Sequence, residues 1–588
     1  MVAKEQMNRS SLLDFFKGIA IITVILYHSG LFTYGYLGVE IFLVVGGYLT
    51  TKGILHSYDR GSFSYWNFFV KRLIRLWPLV LLVSLTAFVC SYFWMLPDNF
   101  KNTCETTVGT SCFFNNFIQY ITSGDYWDAS NDFKPLMHTW YIGLMFQFYV
   151  LYPLLFMACH AFTKNWKKSV LWMLSIVFVG SLLLYVLPCL TDANKFYLLP
   201  ARLFEFAAGG LIAVVYDKES ADSDRRSWYR VLIASFILII ILSINSNLDG
   251  KQYRLLTTVG FTVFLVAMST KRNELFAHFN IPVITTLGMA SYSLYLWHQP
   301  ILALYRYVVN ADFTVWSYLI TLSASLLIGL LSYYLIEKPI SKYAVTKGIK
   351  IFMLSVCLLL AAGLVVVSAY YYKRHGIVRD VPELGISINN TNFECQTYNE
   401  RNFAYDKGFP KNGKKNILVL GDSFGRDWVN ILRESGVDSI MNISYHKDSD
   451  NIVRKRIAAA DYIFVAENGP FKKFDSYLPA MLTKHFYRVG HKHFGRCMGN
   501  YYNHQHGSDY YDQTFDYNTT LNKEEQVIFK NHYIDLMSLI VVDNGKYPVF
   551  TPEHKFYSHD CIHLTEAGAK HFAQLIQVKR LFSIDDKL

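Results

Sequence analysis

The sequence predicts a polytopic α-helical membrane domain of about 11 spans, followed by an extracytoplasmic α/β domain with a parallel sheet. Three observations support this fold class. Of 588 residues, 52% are hydrophobic and only 17% are charged, an apolar content above that of ordinary soluble domains. Apolar runs of membrane length recur up to about Tyr372, with Lys and Arg concentrated in alternate loops. Beyond that point the chain is polar, and strand-like runs alternate with helical patterns.

The apolar runs supply the membrane spans. A bilayer core is crossed by about 20 predominantly apolar residues in a helix. We expect about eleven such helices, over residues 11–33, 36–56, 74–96, 137–160, 168–190, 198–216, 229–245, 253–270, 284–308, 315–336 and 350–372.

Positive charge predicts the orientation of these spans. Lys and Arg accumulate in cytoplasmic loops, and the N-terminus is therefore expected in the cytoplasm, with everything after about Tyr372 outside it. The net charge of +11 is spread over short clusters without a continuous basic face, so nucleic acid is not an expected partner. The clusters are Lys4 and Arg9; Lys71, Arg72 and Arg75; Lys164, Lys167 and Lys168; Arg225, Arg226 and Arg230; Lys271 and Arg272; and Lys338, Lys342, Lys347 and Lys350.

Changes in composition predict the domain boundaries. We expect a membrane domain at 1–345, the eleventh transmembrane helix at 346–372, a linker at 373–410 and the α/β domain at 411–588.

Four cysteines lie in segments expected outside the cytoplasm, where disulfides persist. Cys104 and Cys112 share the loop before the fourth span, and Cys395 and Cys497 both lie in the tail. Either pair could form a bridge or stay reduced, because sequence alone does not fix connectivity. No CxxC or clustered His/Cys spacing is present in the sequence, so no metal site is expected.

The stretch ILVLGDSFGRDW, residues 417–428, predicts a strand, a sharp turn permitted by Gly421, and a helix. Ser423 would begin that helix, whose backbone N–H groups and dipole suit an oxyanion. Near the end of the chain, His563 could act as a general base, and Asp560, three residues before it, could orient its ring. Either motif alone is weak, but both in one α/β domain predict a serine nucleophile.

With these two motifs the tail resembles the SGNH hydrolase family, whose nucleophile lies in a GDS block and whose base lies in a terminal DxxH block. The resemblance implies that Asn468, in FVAENGP after a predicted strand, donates to the oxyanion. The family's usual second donor, a glycine, has no clear equivalent between Asp438 and Ala460.

The membrane half carries polar groups inside its apolar runs, where they are costly and often functional. Each could instead be a structural hydrogen-bonder or an interfacial anchor, and for Gln147 and His298 we favour that role. These groups are His28, Glu40, Arg72, Arg75, His138, Gln147, Arg202, Glu205 and His298.

The membrane half resembles the membrane acyltransferase-3 family in a series of motifs and in their order. These are LDFFKGIAIITVILYH, GVEIFLVVGGYL, the RxxRL-P run, ARLFEF, LGMASYSLYLWH and LIEKP. The resemblance implies a transfer centre at His28 and Glu40, acetyl-CoA as donor and an extracytoplasmic carbohydrate as acceptor. Three features depart from the family pattern. Glu40 stands where Asp is frequent and preserves the carboxylate, Lys17 stands where Arg is usual, and Met145 and Phe146 replace an acidic pair.

Arg72 and Arg75 lie at the cytoplasmic end of a predicted span, where guanidinium groups could bind CoA phosphates or serve only to orient the span. We therefore expect an O-acetyltransferase of the bacterial cytoplasmic membrane that acetylates lipopolysaccharide, capsule or peptidoglycan through an acyl-serine. Two alternatives are a membrane-anchored glycan acetyl esterase and a transporter of acyl groups or glycan.

Overall fold

The computed structural model describes residues 2–122, 131–215, 250–269, 281–310, 313–343, 346–389, 395–495, 507, 509–542 and 545–582. The chain forms two compact units. The first consists of residues 1–93, 99–306 and 312–372, and the second of residues 94–98, 307–311 and 373–588.

In its described residues, the chain up to Lys373 consists of helices and the turns that connect them, without strands. Every predicted span overlaps a helix except 229–245, which lies outside the described residues. The run 284–308 is divided at Ala290 into two helices. The helices are Val2–His28, Gly38–Asp59, Tyr65–Trp94, Pro97–Ser111, Asn115–Thr122, Trp140–Phe162, Trp166–Val186, Asp192–Tyr197, Leu199–Val215, Gly250–Ser269, Pro282–Met289, Ser291–Val308, Val315–Ser332, Lys338–Tyr343 and Lys347–Lys373, with a π-helical turn at Tyr333–Glu337.

Six of these helical segments are long and apolar enough to cross a membrane. This number covers the described residues only and leaves the expected total of about eleven spans as a prediction. The six segments are Gly35–Asp59, Tyr65–Trp94, Met137–Phe162, Trp166–Val186, Val315–Lys342 and Gly348–Lys373.

Glycines bring two helices of the first unit into backbone contact. A Cβ at Gly47 would lie 2.1 Å from the Phe206 carbonyl oxygen, and one at Gly209 would lie 1.9 Å from that of Val44. Small residues permit such close packing between membrane helices, where no hydrophobic effect drives association. The helices Gly38–Asp59 and Leu199–Val215 are consequently fixed against each other.

The second unit is an α/β fold whose main sheet is parallel, as predicted. The sheet has the order β2-β1-β3-β4-β6, with all pairs parallel, and β5 pairs with β7 in a separate antiparallel ribbon. The strands are β1 at Asn416–Gly421, β2 at Asn442–His446, β3 at Tyr462–Ala466, β4 at His485–Val489, β5 at Thr514–Phe515, β6 at Tyr533–Ile534 and β7 at Tyr547–Pro548.

Helices cover both faces of the parallel sheet, which is why its central strands are continuous apolar runs. Side chains of β1 and β3 alternate between one core containing Trp428 and another containing Val453. Because β2 and β3 lie on opposite sides of β1, the order in which strands are added to the sheet reverses there, and ligands of such sheets bind beyond the carboxyl ends of the strands. The helices are Cys395–Glu400, Ser423–Glu434 (the serine helix), Asn451–Ala459, Leu478–Met481, Thr520–Phe529, Glu566–Leu575 and Val578–Leu581.

Of the two alternatives left open for Cys104 and Cys112, the structure has both cysteines free of a disulfide. Cys104 lies in the helix Pro97–Ser111, and Cys112 directly follows it. Eight residues of helix rise about 12 Å, which is beyond the reach of a disulfide. Cys497, and with it the Cys395–Cys497 pair, lies outside the described residues.

Gly421 ends β1 with a φ of +143°, a conformation that side chains disfavour. It also pairs with Ala466 in the sheet register. A Cβ at this position would lie 1.8 Å from the Ala466 carbonyl oxygen. The turn that precedes Ser423 therefore requires glycine for both its conformation and its contact with β3.

Replacing Gly421 with Ala should destabilise the second unit by about 2 kcal/mol or more, because the methyl group overlaps β3. Amide hydrogen exchange of peptides from β1 and β3 in the full-length protein would measure the loss. Gly436→Ala is the matched control, since Gly436 has a φ of +76° but no atom within 4 Å of an added Cβ. The control should cost only about 1 kcal/mol. Equal losses in the two variants would contradict the overlap argument.

Candidate active site

Ser423 is the first residue of the serine helix, directly after the turn that ends β1. Asp422 caps the helix by accepting the Phe424 N–H at 2.9 Å. Ser423 is 1% exposed, and its backbone N–H lies at the positive end of the helix dipole. The local structure matches the predicted strand, turn and helix.

The structure brings Ser423, His563 and Asp560 together. His563 Nε2 lies 2.8 Å from Ser423 Oγ, and His563 Nδ1 is hydrogen-bonded to Asp560 Oδ2. The other carboxylate oxygen, Oδ1, accepts the backbone N–H of His563 at 2.8 Å. Asp560 thus orients both the ring and the backbone of the base, in the manner of a Ser-His-Asp triad.

Asp560 is ionised at neutral pH. Burial raises the pKa of its carboxyl, but the charges of His563 and His559 and the hydrogen bonds from His563 outweigh burial and hold the pKa well below its usual range. The Asp560 carboxylate accepts the proton on His563 Nδ1, so Nε2, which faces Ser423 Oγ, can accept the serine proton.

Asn468 follows β3 and is exposed. Its backbone N–H donates to Asp422 Oδ2 at 2.9 Å, so the capping carboxylate of the serine helix also holds the loop of Asn468. Asn468 Oδ1 lies 2.8 Å from His491 Nε2. No glycine occurs between the end of β2 at His446 and the helix that begins at Asn451.

Asp427, inside the serine helix, connects three segments of the second unit. It accepts the Leu564 N–H at 3.1 Å and the Asn399 side-chain amide at 2.6 Å. It also forms a 2.8 Å ion pair with Lys492, with both side chains at most 2% exposed. Asn399 donates as well to the Ser423 carbonyl at 3.2 Å.

Glu467 lies next to Asn468 and is 7% exposed. Burial raises the pKa of its carboxyl to about 7, against the lowering effect of Arg488. The carboxyl beside the expected oxyanion donor is thus partly protonated near neutral pH.

In the first unit, His28 ends the helix Val2–His28 and lies among other imidazoles. The ring centroids of His28 and His298 are 5.1 Å apart, and those of His138 and His298 are 5.2 Å apart. Arg306 donates to the His28 carbonyl oxygen. His298 Nδ1 lies 2.6 Å from the Tyr295 carbonyl oxygen, which assigns the ring proton to Nδ1 and leaves Nε2 basic.

Glu40, which the resemblance places with His28 at the transfer centre, is ion-paired with Arg202. Arg202 holds both its carboxylate oxygens, at 2.9 and 2.8 Å, and a further 3.2 Å ion pair joins Arg202 to Glu205. All three side chains are at most 2% exposed. A buried arginine requires counter-charges, and Glu40 supplies one of them to Arg202.

Arg72 and Arg75 line a cavity of about 370 Å³. Arg72 also lies over the Phe68 ring at 3.4 Å, and Arg75 forms a 3.2 Å ion pair with Glu337. Lys17 and Lys71 line the same cavity, together with Phe42, Val45, Gly46, Leu49, Thr50, Leu76, Tyr141, Ile142, Met145, Tyr149, Ser291, Tyr292 and Tyr295.

Tyr295 connects this cavity with the imidazoles. It lines the cavity, its hydroxyl donates to the His138 carbonyl at 2.6 Å, and its ring centroid lies 5.6 Å from that of His298. The cavity therefore combines cationic groups with an aromatic wall that adjoins the histidine cluster.

Sequence reasoning listed His138 and His298 only as polar groups in apolar runs, favoured a structural role for His298, and missed other neighbours of these sites. The motifs MHTW and LWHQP carry His138 and His298 inside apolar runs, and that position was the available signal for them. Asn399, His491 and Lys492 lie in polar segments without a motif, so nothing in the sequence indicates their contacts. Among the described residues, no group of three or more His, Cys, Asp or Glu side chains could hold a metal ion.

Comparison with known proteins identifies relatives of the first unit. The family model described as "Acyltransferase domain" matches residues 11–334, more than half of the chain. Two proteins named O-acetyltransferase OatA, from Staphylococcus aureus strains NCTC 8325 and COL, are each 28% identical over 360 residues. Each match covers 58% of this chain and 58% of the relative, so the chain spans less than two thirds of their length. No solved structure matches.

Replacing Asp427 with Asn should destabilise the second unit by about 3 kcal/mol or more, because the Lys492 ammonium is left buried without a counter-charge. Hydrogen exchange of peptides from the serine helix and from Glu566–Leu575 would measure this loss. The double variant Asp427→Asn, Lys492→Met should recover most of it. Lys570→Met, which breaks the exposed Lys570–Glu566 pair, should change stability by less than about 1 kcal/mol. Strictly additive losses for Asp427 and Lys492 would contradict the pairing.

Proposed function

Because the chain belongs to the acyltransferase-3 family, we propose that it is an O-acetyltransferase that moves acetyl from acetyl-CoA to hydroxyls of a cell-surface glycan through an acyl-serine. The observation that carries the second step is the 2.8 Å approach of His563 Nε2 to Ser423 Oγ. The names of the staphylococcal relatives support O-acetyl transfer. Lipopolysaccharide, capsule and peptidoglycan are the candidate acceptors.

We place the protein in the bacterial cytoplasmic membrane. The N-terminus and the cluster around Arg72 lie in the cytoplasm, and the second unit lies outside. The alternation of Lys and Arg clusters supports this orientation, and six helical segments of membrane length and composition support the location. The chain up to the end of the helix Lys347–Lys373 would carry out the membrane step, and the chain after it would carry out the transfer through Ser423.

The cavity with four cationic side chains would bind acetyl-CoA. Guanidinium groups bind phosphate through paired hydrogen bonds, and Arg72 and Arg75 line the cavity together with Lys17 and Lys71. The apolar and aromatic remainder of its wall suits the pantetheine arm. Acetyl-CoA is thus a donor substrate, and no metal is required.

His28 would accept the acetyl group or act as a general base at the membrane centre. Its partners would be the neighbouring imidazoles, with His298 Nε2 as a second basic nitrogen. Glu40 would contribute indirectly, by fixing Arg202 and with it the helices around the centre.

At Ser423 the chemistry is two successive acyl transfers. His563 takes the proton of the serine hydroxyl, Oγ attacks the acyl carbonyl, and the bond to the delivering group breaks as that group receives the proton. A sugar hydroxyl then attacks the acyl-serine, loses its proton to His563, and Ser423 Oγ regains it. The Ser423 N–H and Asn468 would stabilise the oxyanion in both steps.

A glycan acetyl esterase remains a second candidate, because the same triad could use water as acceptor. A single span would suffice as its anchor, whereas this chain buries Arg202, Glu205, His138 and His298 in its helical unit. Such costly groups favour a catalytic membrane half.

Ser423→Ala and His28→Ala should each abolish acetyl ester formation on surface glycan. The first removes the proposed acyl-serine, and the second removes the proposed imidazole of the membrane centre. Cells supplied with labelled acetate and analysed by mass spectrometry of the glycan would show the loss. Ser476→Ala and His56→Ala, both at exposed positions, are the matched controls and should leave acetylation unchanged. Full acetylation in Ser423→Ala would show that the serine is not in the pathway, and retained acetylation in His28→Ala would contradict the role of His28 in the membrane step. Release of acetyl from glycan without transfer would instead favour the esterase.

Arg72→Gln should raise KM for acetyl-CoA about 10- to 100-fold, the value of one lost charged hydrogen bond. With an acetyl thioester that lacks phosphates, S-acetyl-N-acetylcysteamine, KM should not change, because that donor has nothing for the guanidinium to bind. Arg60→Gln, at an exposed position, serves as control. An equal rise in KM for both donors would argue against phosphate binding at this cavity.

A further inference from the structure

The side-chain amide of Asn468 must face a defined way to stabilise an oxyanion. An amide has an acceptor oxygen on one side of Cγ and a donor NH₂ on the other. A half-turn about the last side-chain bond would therefore replace attraction of the oxyanion by repulsion. Because the Asn468 side chain is exposed, solvent alone does not select one orientation.

His491 contacts this amide. Its Nε2 lies 2.8 Å from Asn468 Oδ1, and its Nδ1 lies 2.7 Å from the Tyr517 hydroxyl. Burial, and then the charges of Lys492, His493 and Arg488, lower the pKa of His491 to about 4. The ring is neutral at physiological pH and has one donor and one acceptor nitrogen.

Tyr517 selects which nitrogen donates. We assign the donor role to its phenol, which is a good proton donor and lies 2.7 Å from Nδ1; with that assignment the ring proton is on Nε2 and is donated to Asn468 Oδ1. The opposite tautomer would require Asn468 to present its NH₂ to His491 and its oxygen to the acyl group.

The imidazole is also held in place. Its ring lies 5.3 Å from that of Phe424 and nearly parallel to that of Tyr517, at 6.3 Å and 8°. The His491 backbone donates to Asn522 Oδ1 at 3.1 Å and accepts from Asn522 Nδ2 at 2.9 Å. Phe424 is the neighbour of Ser423, so the aromatic contact links His491 to the start of the serine helix.

We propose that His491, with its tautomer set by Tyr517, is a positioning residue that turns the Asn468 NH₂ toward the oxyanion of the Ser423 acyl transfer. The inference rests on the proposed function, since it takes Ser423 as the nucleophile and Asn468 as the oxyanion donor. His491 itself touches no reacting atom.

The test uses the full-length protein in detergent with p-nitrophenyl acetate, an ester that can acylate Ser423 without the membrane half. The rate of the p-nitrophenol burst reports acylation. His491→Phe keeps the ring contacts and removes both nitrogens, and it should slow the burst about 10- to 100-fold, less than the roughly 10²- to 10³-fold loss of an oxyanion donor. His491→Gln can still donate to Asn468 Oδ1 and should retain a burst within a few-fold of wild type. Tyr517→Phe should show a smaller loss than His491→Phe.

The decisive comparison is made in an Asn468→Ala background. A positioning residue has nothing to position there, so adding His491→Phe should leave the burst of Asn468→Ala unchanged, whereas a general structural defect would multiply with it. Multiplying losses, or a wild-type burst in His491→Phe, would overturn the inference while a Ser423-dependent burst upholds the proposed nucleophile. A wild-type protein without any burst beyond that of Ser423→Ala would overturn the proposed function, and this inference with it.

Discussion

The buried carboxylate of Asp427 is the contact on which the geometry around Ser423 depends. The triad joins residues from opposite ends of the second unit, and catalytic groups must be held within about 0.5 Å of their working positions. Asp427 lies one turn into the serine helix and binds the backbone of Leu564, directly after His563. One side chain thereby fixes the helix of the nucleophile against the loop of the base. Its ion pair with Lys492 is strong because both groups are excluded from water.

In the first unit, too, buried charges are paired. A charge inside a membrane helix needs a partner, and Arg202 finds two, Glu40 and Glu205. Glycine contacts bring the two helices close enough for these pairs to form. The result is a buried ionic cluster between the helices that includes Glu40, whereas His28 has an imidazole as its ring neighbour. Glu40, whose motif resemblance places it at the transfer centre, is thus ion-paired with Arg202.

The sequence was sufficient to predict the features that depend on periodicity and spacing. Apolar runs predicted the described helices of membrane length, and the strand, turn and helix around Ser423 followed from GDS between two patterns. The polar helix Pro97–Ser111 was missed, because its segment was expected to be a loop. The contacts of Asn399 could not be predicted, because an asparagine in a segment expected to be a linker gives no sign that it binds the serine helix. Long-range partners such as Glu40 and Arg202 are 162 residues apart, and only the packed helices reveal the pair.

Burial of the triad bears on the choice between sugar and water as acceptor. Ser423 and His563 are 1% and 0% exposed, so bulk water has little access to the bond that an acyl-serine would present. Exclusion of water protects reactive intermediates from hydrolysis. An acceptor that brings its own binding energy, such as a glycan, can reach the bond by displacing neighbouring groups, whereas a water molecule gains nothing comparable. Burial of the triad therefore favours transfer to a bound acceptor over hydrolysis.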